Sequence, residues 1–259
     1  TISGLRGPEA FSSIDLSGRD LGYFSGAVIG AVMRENTVVK SIKLTKNKLR
    51  ARGALEIIDQ CNVDAKIKTL DLGQNGLGIT EELTVSSVGS TAHDDGEEEP
   101  DPLTALFVSV SKLTTLETLL LDDNELSSMA HLELICRLRN LERLSLQGNR
   151  LLELPTVIGT LHALKDLNLQ GNRLTRIQGS VGSLKKLRML NLKGNQLLSL
   201  SGAIGNLGGL RKLDISNNTK LKTLPREICH LNNDLEILCA GNRHLMAMVG
   251  TAASGMIIS

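Results

Sequence analysis

The sequence predicts an α/β solenoid in which short strands from successive repeats stack into one parallel sheet. Three observations predict it. An eleven-position pattern, LxxLxLxxNxL, recurs eight times along the 259 residues. Its LxL centre puts two apolar side chains on one side of a strand, because side chains alternate. The chain has no Trp, one Tyr and three Phe, so aliphatic side chains must fill the interior. Such a repeat cannot bury its apolar side alone, and stacked neighbours supply the cover.

The first copies are FSSIDLSGRDL (11–21), VKSIKLTKNKL (39–49) and IKTLDLGQNGL (67–77), spaced by 28 residues. That period leaves room for a helix after each strand. Phe24, Val28, Ile29, Val32 and Met33 are expected to form the helix of the first copy. Ala54, Leu55, Ile57, Ile58 and Cys61 have the apolar spacing of the second. Arg19 stands at the ninth position of the first copy, where later copies carry Asn, and marks it as the N-terminal end of the stack.

An insertion follows. From Leu70 to Leu119 the period stretches to 49 residues, and the excess, TVSSVGSTAHDDGEEEP, occupies 84–100. It carries His93 and five carboxylates but almost no large apolar residue, so a solvated, mobile loop is expected. An acidic arm for a basic partner is the alternative. An unstructured acidic run sets no coordination geometry, so no metal site is predicted. Asp101 and Pro102 read as an N-cap and first turn, opening a helix through Leu103, Leu106, Phe107, Val110 and Leu113.

The remaining copies are LETLLLDDNEL (116–126), LERLSLQGNRL (141–151), LKDLNLQGNRL (164–174), LRMLNLKGNQL (187–197) and LRKLDISNNTKL (210–221). The last four are 23 residues apart, and a ninth copy of uncertain register lies in LEILCAGNRHL (235–245). The ninth-position residues Asn47, Asn75, Asn124, Asn149, Asn172, Asn195 and Asn218 are expected to form a structural ladder, because a buried amide must satisfy backbone groups around it. The apolar stretch 245–258 is too short to span a bilayer and is read as a cap on the last repeat.

These motifs resemble the leucine-rich-repeat superfamily over most of the chain. The long first copies are similar to its ribonuclease-inhibitor type. The later copies are similar to the short 23-residue class of Ras-suppressor-like and plant intracellular proteins, whose LxxLPxxIxxL signature appears around Pro155 and Pro225. The resemblance implies one curved domain over 1–259: strands on the concave face, helices or 3₁₀ segments on the convex face. Helix-containing repeats would fill 1–83 and short repeats 101–245, with the change near residue 115.

Function is sought on the outward strand positions. Lys43, Thr45, Lys46, Asp71, Leu120, Asp122, Asp123, Arg143, Gln147, Asn168, Met189, Asn191 and Lys212 are the candidate partner-binding residues of the concave face. This surface is polar, of mixed sign and without aromatics, whereas interface hot spots favour Trp, Tyr and Arg. No nucleophile–base constellation, phosphate-binding loop or close Cys pair is present, so neither catalysis nor a cofactor is expected. With 29 basic and 28 acidic residues the chain is not a generally basic nucleic-acid binder. Scattered cysteines and a polar opening segment favour an intracellular, cytoplasmic site. The expected role is a non-catalytic protein-binding adaptor. A structural subunit of a large assembly is the alternative, and a regulator of small GTPases or phosphatases a more remote one.

Overall fold

The computed structural model describes residues 12–34, 36–61, 66–79, 101–231, 234–242, 245 and 257–258. The acidic insertion at 84–100 and most of the apolar C-terminal stretch lie outside the described residues. Among the described residues ten strands form one parallel sheet in strictly sequential order. They are β1 (Ser13–Asp15), β2 (Ser41–Lys43), β3 (Thr69–Asp71), β4 (Thr118–Leu120), β5 (Arg143–Ser145), β6 (Asp166–Asn168), β7 (Met189–Asn191), β8 (Lys212–Asp214), β9 (Glu236–Leu238) and β10 (Ile257–Ile258).

The pattern explains the register. The fourth positions, from Ile14 through Leu167 to Leu213, align strand to strand and are buried. The sixth positions from Leu44 to Ile215 are fully covered. Pairing of Leu213 with Ile237 fixes the ninth copy: Ile237, Cys239 and Asn242 take its fourth, sixth and ninth positions. β10 pairs parallel with β9.

Among the described residues four α-helices cross the other side. They are α1 (Tyr23–Met33), α2 (Arg50–Asp59), α3 (Pro102–Ser111) and α4 (Met129–Ile135). Asp101 caps α3 by accepting from Leu103 N at 2.9 Å and Thr104 N at 3.2 Å. From residue 156 onward the coils carry five-residue 3₁₀ segments, the first at Thr156–Thr160 and the last at Arg226–His230. The change therefore falls between Ile135 and Thr156, not near 115. Copy four is followed by a 25-residue interval, long enough for a seven-residue helix. The 23-residue coils have room only for the tighter turn. Pro155 and Pro225 precede their 3₁₀ segments at φ −66° and −67°, but Gln178 and Ser201 hold the same backbone at −70° and −67° without proline. Coil length, rather than proline, selects the conformation.

α1 contains Phe24, Val28, Ile29, Val32 and Met33 as expected, but not all of them face the core. Val32 and Met33 are buried, but Phe24 is 74% and Val28 56% exposed. Packing of α1 on α2 runs through small residues: a Cβ on Gly26 would fall 2.3 Å from Gly53 O. Phe24, Ala27, Val28 and Ala31 are left as an exposed stripe at helical spacing.

Each ladder Asn ties its coil to the preceding one. Asn172 Nδ2 donates to Leu146 O at 2.8 Å and to Leu169 O at 3.1 Å, and its Oδ1 accepts from Leu151 N at 3.0 Å. Asn47, Asn149, Asn195 and Asn218 repeat the scheme. Asn242 adds a rung, accepting from Asn218 N at 2.6 Å and donating to Ile215 O at 2.9 Å. Asn75 departs from the scheme, since its buried Oδ1 finds no donor. The nearby Lys48 and Arg50 N–H groups donate to Leu21 O and Asn75 O instead.

Between α3 and α4, His131 stacks on Phe107 with centroids 5.1 Å apart, and its Nε2 lies 3.1 Å from Thr104 Oγ1. Its Nδ1 is buried without a partner. Burial lowers the His131 pKa below its ordinary value of 6.5, and the Asp101 carboxylate only partly opposes this. The folded state thus favours neutral imidazole. Above pH 6.5 the ring is neutral whether folded or not, and this contribution is full. As pH falls below that value the unfolded chain takes up the proton first, and stability drops until the lowered folded pKa is passed. Urea midpoints taken from pH 7.5 down to 5 should fall in the wild type and fall less in His131→Phe, which keeps the stacked ring. Parallel curves would refute this assignment.

Candidate functional site

The outward side chains of β1–β9 form three columns on the strand face. Asp and Asn recur at the fifth position for a local reason. Asp15, Asp71, Asn168, Asn191 and Asp214 each accept, through Oδ1, the N–H two residues ahead, at 2.9–3.2 Å. Such turns hold the exit from the strand. Asp71, Asn168 and Asn191, read from sequence as partner-binding, are therefore engaged first with their own backbone. Their recurrence at one template position was the available signal.

The centre of the face is a lattice running across coils. The Ser145 hydroxyl donates to Asp122 Oδ1, which also accepts from Gln147 N at 2.9 Å. Asn168 Nδ2 donates to Ser145 Oγ at 3.1 Å and Gln147 Oε1 at 3.2 Å, and Asn191 Nδ2 to Gln170 Oε1 at 3.1 Å. Burial pushes the Asp122 carboxyl above its usual range, and the neighbouring Asp123 and Asp71 charges push it the same way. Hydrogen bonds from Ser145 and Gln147 oppose them. Around this lattice Lys43, Arg143 and Met189 are exposed, and Thr45, Leu120 and Lys212 are half-buried. Lys212 pairs with Glu236 at 3.1 Å. Lys43 and Asp71 are register partners on adjacent strands, so the face changes sign between β2 and β3.

The eighth position holds what the sequence reading missed. Its backbone is left-handed in all nine copies, at Gly18, Lys46, Gln74, Asp123, Gly148, Gly171, Gly194, Asn217 and Gly241, with φ between 52° and 80°. Glycine adopts this conformation freely. In copies two, three and four the position carries Lys46, Gln74 and Asp123 instead, and all three side chains are exposed. Gln74 Nε2 donates to Asp123 Oδ2 at 3.2 Å, joining two of them. Gln74 thus belongs with the candidate residues Lys46 and Asp123. A comparison of eighth-position residues, glycine in five copies, could have found it.

Among the described residues no group of three or more His, Cys, Asp or Glu is placed to hold a metal ion. Burial pushes the Cys61 and Cys136 thiols up to about 12, which keeps both protonated and poor as nucleophiles. No helix among the described residues is long and apolar enough to cross a membrane.

Comparisons with known proteins follow the repeats. A family model described as Leucine rich repeat matches residues 139–197, and a second, Leucine Rich Repeat, matches 209–231. A leucine-rich-repeat protein of Leptospira interrogans is 22% identical, with a TM-score of 0.51, over 92% of this chain and 63% of its own. The leucine-rich-repeat ectodomain of the receptor kinase SOBIR1 from Arabidopsis thaliana is 32% identical over 43% of this chain and 63% of its own, with a TM-score of 0.38. The match with each of these structures spans 63% of that structure's own length. No curated protein matches the chain.

Proposed function

We propose that this chain, a leucine-rich-repeat protein of the general class, is a non-catalytic adaptor that docks a protein partner on its strand face. The observation that carries the proposal is the eighth position in copies two to four. A non-glycine residue in left-handed backbone costs about 1–2 kcal/mol, less for Asp and Asn. Lys46, Gln74 and Asp123 are held there consecutively, where Gly18, Gly148, Gly171 and Gly194 show that the coil accepts glycine. Strain retained at adjacent positions points to side chains kept for their contacts. The adjoining lattice of Asp122, Ser145, Gln147 and Asn168 supplies a surface whose rotamers are fixed before binding, which lowers the entropic cost of association. Helical coils followed by 3₁₀ coils support the reading that two repeat subclasses are joined in one chain.

The test separates binding from stability. Lys46→Gly, Gln74→Gly and Asp123→Gly should each leave thermal stability unchanged or raised by up to about 1 kcal/mol. Combined, they should abolish crosslinks from the strand face to the partner in the natively purified protein. Unchanged crosslinking would refute the adaptor reading. A second reading, a structural subunit gripped at its end, is favoured by the exposed Phe24 and Val28. It expects a photo-crosslinker at Phe24 to capture the partner and the glycine variants to be silent.

A further inference from the structure

A cleft of about 300 Å³ opens on the flank of the solenoid where the chain enters β6, β7 and β8. Its walls are cationic: Lys165, Lys185, Lys186, Arg188 and Arg211. No carboxylate lines it. Lys165, Arg188 and Arg211 occupy one template position in three successive coils, 23 residues apart. Their backbones are locked together, with Arg188 N donating to Lys165 O at 2.7 Å and Arg211 N to Arg188 O at 2.9 Å. Adjacent coils of a parallel sheet lie about 4.8 Å apart, so the three side chains spring from points spanning about 10 Å.

The opening itself comes from missing side chains. Lys185 and Lys186 have Gly208 and Gly209 as their counterparts one coil later. A Cβ on Gly209 would lie 3.0 Å from Lys185 O, whereas one on Gly208 would meet nothing within 4 Å. Lys165 is paired with Glu142 at 2.7 Å, and Lys185 Nζ donates to Asn206 O at 2.9 Å. Lys186, Arg188 and Arg211 have no acidic partner among the described residues. Three uncompensated cations facing one recess are a local departure in a chain of net charge +1. Like charges gathered in a concave site focus the field on an incoming anion. Guanidinium groups add paired donors that match phosphate oxygens.

We propose that this cleft binds a small polyphosphate anion, two or three linked phosphoryl groups in length. The size fits, because 300 Å³ is at the small end of ligand sites and the cationic column is short. An extended single strand is a poorer match, since no aromatic side chain lines the cleft to stack a base. The site is on the flank, apart from the strand face, and does not depend on the adaptor reading.

The test is calorimetric titration of the purified chain with sodium tripolyphosphate at physiological ionic strength. Expected is one saturable site of sub-millimolar affinity, weakened at least tenfold in Arg188→Glu and in Gly208→Glu. The second variant points its carboxylate into open space, so circular dichroism should find it folded. Arg226→Glu, at a side chain 94% exposed and outside the cleft, should bind as the wild type does. Absence of saturable binding would overturn the proposal, as would equal weakening by Arg226→Glu. Full displacement by equimolar sulfate would mean an adventitious ion only. Tighter binding of a short DNA duplex, or of an acidic peptide, would assign the cleft to another class of ligand and also overturn it.

Discussion

Leu169→Ala is expected to destabilise the protein by about 2–5 kcal/mol, the range for truncating a large aliphatic side chain in a packed interior. Leu169 is fully covered, with Leu146 and Leu192 at the same position of the coils on either side. Those neighbours are fixed by backbone hydrogen bonds, Leu146 N to Asn168 O at 2.9 Å and Leu192 N to Asp214 O at 2.7 Å. Little collapse can fill the void, which places the loss toward the upper part of the range. Asn168→Ala, one residue away on the opposite face, should lose about 1 kcal/mol or less, through its hydrogen bonds to Ser145, Gln147 and Gln170. Urea denaturation of both variants measures the contrast. Similar losses would break the inward–outward assignment on which every site residue depends.

Asn172→Ala should cost about 1–3 kcal/mol, because it leaves the buried Leu151 N–H without its acceptor, while the Leu146 and Leu169 carbonyls each keep a second donor in Asn149 and Asn195. The comparison that isolates this mechanism is Asn75→Ala. The Asn75 oxygen already lacks a donor, so its removal orphans no N–H group. Its amide still donates to Leu44 O at 2.9 Å and Leu72 O at 3.0 Å, and losing these should cost about 1 kcal/mol. Melting both variants in parallel decides the point, and an Asn75 loss as large as that at Asn172 would contradict it.

Much of this architecture was legible because it is periodic. Paired leucines, ladder Asn residues and the Asp101–Pro102 helix start are all side-chain identities at fixed offsets, and each is where the pattern puts it. The helix of the first copy is where its spacing puts it, but its buried face was not legible, since Phe24 and Val28 are apolar and exposed. Their helix packs through Gly26 and Gly30, and glycine carries no periodic hydrophobic signal. The extent of the helices was misplaced because copy four has the short repeat's pattern but a 25-residue spacing. At the strand face, the left-handed eighth position is a property of the backbone. Gly, Lys, Gln, Asp and Asn all occupy it, so no single residue type announces it. Asp71, Asn168 and Asn191 looked free because a hydrogen bond to one's own backbone leaves no trace in composition. The cationic cleft draws on three coils and on two absent side chains. Only the 23-residue recurrence of Lys165, Arg188 and Arg211 could be read in advance.

The ladder and the sheet link each coil to its immediate neighbours alone, since the partners of Asn172 all lie in its own or the preceding coil. Integrity is therefore local, as in a zip: a fault at one tooth weakens two joins and leaves the distant halves clasped. A bend applied to the whole is shared as a slight splay at every join.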